Sequence, residues 1–306
     1  MNNVILLLAC FALGIALRAS GRLPANAPSA LNGFVINVSL PALTLVTVRG
    51  LTLELQLALA ALTPWLLLGV GAGFFWAVGR LLSLPKPTIG ALILTGALAN
   101  TSFIGIPMIE TWYGAEHVGI GIVVDQLGSY MALSTLGIVL AGLCASRDAR
   151  FDPKAFARKL LGFAPFISLL VALAMTALSF SYPDWLDTLL RRLATTLVPL
   201  ALVSVGMQLR LSQIRGRMRL LVLGLGFKLV IGPALVLAVL AGLLGQRGLV
   251  IQVSVFEAAM GPMIGAAIVA MDHDLDPSLV TLMVGLGVPL SFLTLPAWWW
   301  MLQGFG

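Results

Sequence analysis

Charge is what this chain has least of. Of its 306 residues, 18 are Lys or Arg and 12 are Asp or Glu, 10% together, where a soluble domain carries about 25%. That shortage argues against an ordinary water-soluble domain. Cysteine and histidine are equally scarce, at two each. Cys10 and Cys144 stand in apolar runs without metal-ligand spacing and read as small core hydrophobes, not as a disulfide or metal site. His117 and His273 fall at the edges of connections, and no Ser, His and Asp set lies within the apolar runs, so the chain reads as no enzyme. A basic stretch before the first apolar run is also lacking. No basic residue precedes Arg18, which argues against a secretory signal and against reading Leu7-Leu8-Ala9-Cys10 as a lipoprotein box.

What is present is hydrocarbon, 59% of the residues. Polar clusters divide the chain into apolar intervals of about 16 to 28 residues, long enough to cross a bilayer core of about 30 Å. Ten spans are predicted, near 3–18, 30–49, 53–80, 87–112, 116–144, 155–179, 186–209, 219–244, 246–271 and 277–303. The expected fold is an all-α polytopic membrane protein, with the lipid bilayer as its first partner.

A sequence pI of about 9.9 invites a nucleic-acid reading, but the basic residues mark topology instead. Thirteen of them (Arg18, Arg22, Arg80, Lys86, Arg147, Arg150, Lys154, Arg158, Lys159, Arg210, Arg215, Arg217 and Arg219) fall in odd-numbered connections, against four (Arg49, Arg191, Arg192 and Arg247) in even ones. The positive-inside bias then places the odd connections in the cytoplasm and both termini outside the inner (plasma) membrane. The ninth connection, Asp272-His273-Asp274-Leu275-Asp276, has neither Lys nor Arg and does not follow the pattern.

Two spans are interrupted in their apolar character. The fourth contains Ala99-Asn100-Thr101-Ser102-Phe103-Ile104-Gly105-Ile106-Pro107, and the ninth contains Glu257-Ala258-Ala259-Met260-Gly261-Pro262. Unsatisfied polar groups cost several kcal/mol in hydrocarbon, so irregular backbone at that depth survives only where protein packs it or a cavity is lined by it. A helix broken near Pro exposes N–H groups that attract anions and C=O groups that attract cations. Asn100, Thr101 and Ser102 add side-chain donors and acceptors able to orient a carboxylate.

The breaks have counterparts at a nearly constant offset. Pro41 and Pro199 are 158 positions apart, Pro107 and Pro262 are 155, and Leu133-Ser134 and Leu290-Ser291 are 157. Two five-span units follow, 1–145 and 161–306, joined by a basic cytoplasmic linker at 146–160. An odd number of spans per unit inverts the second in the membrane.

Three ionisable residues fall inside spans. Glu257, at the second break, would either be protonated or balance a cation, and serves as proton-binding group or sodium ligand; an interface carboxylate is the alternative. Asp125 shares a segment with Gln126 and Ser129 that could face the breaks, or it pairs structurally with Lys228 or a backbone amide. Lys228 could neutralise an anion, pair with an acid, or reach an interface on its long stem.

With those residues in place, the chain resembles the auxin efflux carrier family, which includes bacterial organic-acid permeases, over almost its whole length. The matching features are Ser39-Leu40-Pro41-Ala42-Leu43, the 99–107 segment (similar to the family's Asn-Thr-Gly-x-x-Gly-x-Pro pattern), Pro199-Leu200-Ala201-Leu202 with Gly206, the 257–262 segment, and Leu290-Ser291-Phe292-Leu293-Thr294-Leu295-Pro296. Ser102 stands where that pattern often has Gly, and Gly261 precedes Pro262 where Met-Pro is common. The resemblance implies a secondary carrier in which helices 4 and 9 cross at their breaks and which dimerises with a second copy through scaffold helices 1, 2, 6 and 7. Helices 3–5 and 8–10 carry the substrate, expected to be a small organic anion. The expected binding residues are Asn100, Thr101, Ser102, Gly105, Pro107, Gln126, Lys228, Met260, Gly261 and Pro262, with Glu257 and Asp125 for ion or proton coupling. No cofactor is expected beyond H+ or Na+ as coupling ion. A membrane sensor or scaffold, or a channel, is the alternative; short connections argue against the first, and paired breaks against the second.

Other motifs read as structural. Gly69-Val70-Gly71-Ala72-Gly73 follows no strand and reads as close helix packing. Asp272 to Asp276 begins like a calcium loop but lacks its central Gly and final Glu, and Asp276-Pro277 reads as an N-cap and first-turn Pro. Trp298-Trp299-Trp300 suits an aromatic interface belt.

Overall fold

A computed structural model describes residues 2–24, 26–48, 55–145, 158, 161–178, 182–208 and 216–305. The 146–160 linker, apart from Arg158, lies outside the described residues, as do Arg49, Arg210 and Arg215. The described chain is helical: α1 (Asn2–Ser20), α2 (Ala27–Thr47), α3 (Leu55–Leu81), α4 (Lys86–Ala97), α5 (101–112), α6 (Ala115–Cys144), α7 (Ala164–Ala177), α8 (Asp184–Ala194), α9 (Leu197–Gln208), α10 (Met218–Leu243), α11 (Leu249–Ala258), α12 (Ile264–Asp272) and α13 (Pro277–Leu302). Among the described residues, six helical stretches are long and apolar enough to cross a membrane: α2, α3, α6, the α8–α9 pair, α10 and α13 with its final turn. The fourth and ninth spans are not among them because each is broken into two shorter helices.

Two compact units form, and each draws on both halves of the chain. The first comprises 1–53, 102–122 and 153–209, the second 54–101, 123–152 and 210–306. Residues 102–122 therefore group with spans 1, 2, 6 and 7, although they belong to spans 4 and 5.

In the first unit α1 lies against α9, and glycine makes the approach possible. A Cβ on Gly14 would stand 2.2 Å from the Val203 carbonyl oxygen, and one on Gly206 would stand 2.2 Å from that of Phe11. No side chain fits there without moving backbone. Helix α2 packs on α7 and α8. Ala42, Leu190 and Ala194 form a small core there, flanked by Leu43, Val46, Tyr182 and Leu186. Arg191 and Arg192 lie on α8, not in a connection as the loop tally takes them. Helix α8 is amphipathic and ends at the Thr195-Thr196 turn, so its basic residues sit on an exposed face.

The second unit holds the large core, built on α4 and joined by α3, α10, α12, α13 and the end of α6; Leu68, Phe75, Leu92, Leu94, Phe227 and Met283 are all fully buried in it. Of the three glycines at 69, 71 and 73, only Gly71 answers to packing: a Cβ there would meet Ala97 at 2.6 Å, while the other two face open space. Trp298 also departs from a belt role. It is buried, and its indole N–H donates to the Leu229 carbonyl at 2.8 Å, whereas Trp300 is exposed.

Asp276 accounts for the connection that carries no basic residue. It caps α13, accepting from the Leu279 N–H, and Pro277 follows at the first position as expected. Its carboxylate also accepts from the Thr88 hydroxyl at 2.8 Å and pairs with Arg217. The ninth connection thus meets the starts of α4 and α10, the ends next to the third and seventh connections, and shares their side. Burial raises the pKa of Asp276, but the Arg217 and Thr88 hydrogen bonds, the Arg217 charge and the Leu279 N–H outweigh it, and the net position is below the ordinary value.

Candidate functional site

The two breaks meet inside the second unit. Helix α4 ends at Ala97, Leu98 is extended, and Ala99 pairs antiparallel with Pro262. The Asn100 N–H donates to the Gly261 carbonyl at 2.8 Å, and the Met263 N–H donates to that of Leu98 at 3.1 Å. Each broken helix thereby satisfies backbone groups of the other, which replaces water at a depth where none is available from lipid. Gly261 and Gly287 let α13 pass close by. A Cβ on Gly287 would meet the Pro262 ring at 2.5 Å, and one on Gly261 would meet the Ser291 hydroxyl and the Gly287 carbonyl at 3.1 Å.

Pro107 is not the residue at the first break. It occupies the first turn of the 106–112 segment, after a π-type turn at Thr101–Gly105. The wider turn accommodates a ring that has no N–H to give. The helices that lead into the two breaks end at Ala97 and Ala258. In the ninth span the proline does stand in the break.

Two π-type turns supply two of the three ionisable groups, and α11 carries the third, Glu257. Val124–Tyr130 carries Asp125 and Gln126, and Phe227–Ile231 carries Lys228. A turn of that kind shifts the hydrogen-bond ladder, and in each an indole from outside meets a carbonyl: Trp65 donates to Leu127 at 3.0 Å, Trp298 to Leu229. Gly128 lets α3 close on the first, since a Cβ there would meet Pro64 at 2.6 Å.

Asp125, Gln126, Lys228 and Glu257 are all buried, the last at 0% exposure. The Thr101 hydroxyl donates to Asp125 at 2.6 Å. The Lys228 ammonium donates to the carbonyl of Ala258, the last residue of α11, at 2.7 Å. Both carboxylate oxygens of Glu257 lack a hydrogen-bond partner among the described residues, and Asp125 and Lys228 are close enough to act on it electrostatically. Lys228 therefore reaches no interface, and Thr101 is one partner of Asp125.

Of the twelve expected site residues, Asn100, Thr101, Asp125, Gln126, Lys228, Glu257, Met260, Gly261 and Pro262 come together in the second unit. Ser102, Gly105 and Pro107 belong to the first. Ser129, noted in the sequence beside Asp125, is buried in the same unit, and the Ala258 carbonyl joins the site without having been singled out for it. Ser129 was legible as the polar neighbour of Asp125; a carbonyl at a helix end has no sequence signal of its own.

Comparison with known proteins gives the family. A profile of the membrane transport protein family matches residues 1–299. A protein described as an uncharacterized transporter from Methanothermobacter thermautotrophicus is 29% identical over 97% of this chain and 96% of its own length. Another from Methanocaldococcus jannaschii is 23% identical over 99% and 98%. The chain is a multi-pass membrane protein and a transporter, not an enzyme, and it belongs to the membrane transport protein family, that of the auxin efflux carriers.

Proposed function

We propose that this protein is a secondary carrier that moves a small organic anion across the inner membrane by alternating access, with its site at the paired breaks. The observation that carries this reading is the mutual hydrogen bonding of two broken helices beside a buried ammonium. Lys228 has three N–H donors and gives one to Ala258, which leaves donors for a bound carboxylate. Helix α12 begins beside the crossing at Ile264, and its N-terminal dipole favours negative charge. The site holds two carboxylates against one ammonium, so an incoming anion needs a companion cation, which is the physical case for coupling to H+ or Na+.

Ten spans form two inverted repeats in this scheme. The Ser39 and Thr196 hydroxyls, in spans 2 and 7, lie 2.7 Å apart and 157 positions apart in sequence, close to the repeat offset. An odd number of spans per repeat inverts the second relative to the first. Spans 3–5 and 8–10 move against spans 1, 2, 6 and 7, with 102–122 grouped on the stationary side; the latter spans also form a homodimer, and both termini face outward.

Proteoliposome counterflow with a panel of labelled mono- and dicarboxylates tests the proposal. Exchange is expected for at least one of them, and Lys228→Ala is expected to lower it at least tenfold. No exchange with any carboxylate would remove the carrier reading in favour of a scaffold, and unaltered exchange in the variant would remove Lys228 from the site.

A further inference from the structure

We propose that the Lys228 ammonium is a resident cation, standing on the final carbonyl of α11 beside Glu257 in the place of a coupling sodium ion, so that the carrier runs without sodium. The proposal rests on the transporter reading above and removes sodium from its two candidate coupling ions.

The carbonyl end of a broken helix at membrane depth carries partial negative charge and attracts a cation, commonly a sodium ion. In this protein that end is already occupied, with 2.7 Å between the Lys228 nitrogen and the Ala258 oxygen. The lysine is 1% exposed. Its π-type turn is held in place on the next residue, because Leu229 accepts from the buried Trp298 indole. That anchoring distinguishes it from a long side chain that has folded inward for want of an interface.

The surroundings are those of a cation site. Glu257 directly precedes Ala258, is fully buried, and has no hydrogen-bond donor on either oxygen among the described residues. Its compensation is therefore charge, and Lys228 is the cation within electrostatic reach; Asp125, held by Thr101, adds a second negative charge to the same neighbourhood. A backbone carbonyl and carboxylate oxygens are hard donors that suit a small hard cation. Deleting the four-carbon stem and ammonium of Lys228 would leave the Ala258 carbonyl bare and Glu257 without its compensating charge. Sodium would then be the replacement.

The test uses the purified full-length protein and sodium alone. Thermal unfolding is followed in NaCl, KCl and choline chloride at equal ionic strength, together with binding of labelled sodium. The wild type is expected to melt alike in all three salts and to bind no sodium saturably. Lys228→Ala and Lys228→Gln are expected to gain saturable sodium binding and a sodium-selective rise in Tm on the order of 3 °C, and adding Glu257→Gln is expected to abolish both. Saturable sodium binding by the wild type overturns the proposal, as does indifference to sodium in the folded variants. Failure of both variants to fold even in NaCl also counts against it, since a resident cation should be replaceable by an added one. None of these readouts involves transport, so a failed counterflow experiment is distinguishable from a failure here.

Discussion

The two units bury their polar groups in opposite ways. In the first, the buried polar side chains among the described residues are Ser39, Thr44, Ser168 and Ser204, hydroxyls that bond a carbonyl or another side-chain oxygen. In the second they include two carboxylates, an ammonium and three amides: Asp125, Glu257, Lys228, Asn100, Gln126 and Gln252. A hydroxyl can fold back on its own helix at little cost, whereas a buried charge must be compensated from another element. The first unit is therefore organised by close packing. The second is organised by its charges, and that is where a transported ion would act.

Substitutions can break this contrast, and the largest effect belongs to the packing unit. Gly206→Leu places a side chain where even Cβ would stand 2.2 Å from backbone. A loss of more than about 3 kcal/mol is expected, beyond ordinary overpacking, visible as a collapse in the yield of folded, monodisperse protein. Normal yield would mean that α1 and α9 separate easily and that the unit is not held by that crossing.

Thr101→Val and Ser204→Ala sharpen the same comparison. The first removes a donor to a buried carboxylate and should cost about 1–3 kcal/mol, with counterflow falling further than stability. The second removes a hydroxyl bonded to Asn32 and to the Pro28 carbonyl; it should cost about 1 kcal/mol and leave counterflow intact. Equal effects on counterflow would erase the distinction between the units.

Asp276→Asn probes charge outside the spans. Because the folded-state pKa of Asp276 is below its ordinary value, its stabilisation is present above about pH 4 and is lost as pH falls through the folded value. The variant should lose on the order of 1 kcal/mol at neutral pH, and its Tm should fall less steeply on acidification than that of the wild type. Identical acid profiles would show that the Arg217 and Thr88 contacts do not hold the ends of the three helices together.

The smallest effect is expected at Gly73, where nothing lies within 4 Å of an added Cβ. Gly73→Ala should be neutral or stabilising by up to about 1 kcal/mol, while Gly71→Ala, which meets Ala97, should destabilise. A thermal scan of both separates them.

Much of the site could be read without coordinates, because polar residues are conspicuous in hydrocarbon. Asn100, Thr101, Asp125, Lys228 and Glu257 stood out by being expensive there, and all of them are buried in the second unit. Pro107 misled for the same reason: proline is a visible breaker, yet it sits in a helical first turn after a π-type turn, and the fourth span breaks instead at Leu98–Asn100, where Ala99 pairs with Pro262. The clustered glycines misled too, since only contact with Ala97 separates Gly71 from its neighbours.

Hydropathy and motif order are local and one-dimensional, so residue order was enough to put the chain in a membrane, to show that two of its spans are interrupted, and to identify its family. It took the folded chain to show that the breaks hydrogen-bond to each other, that Lys228 rests on the end of α11 and not at an interface, and that 102–122 joins the first unit. Those are pairings between elements far apart in the chain. A backbone carbonyl with its partner on another helix leaves no trace in the order of side chains.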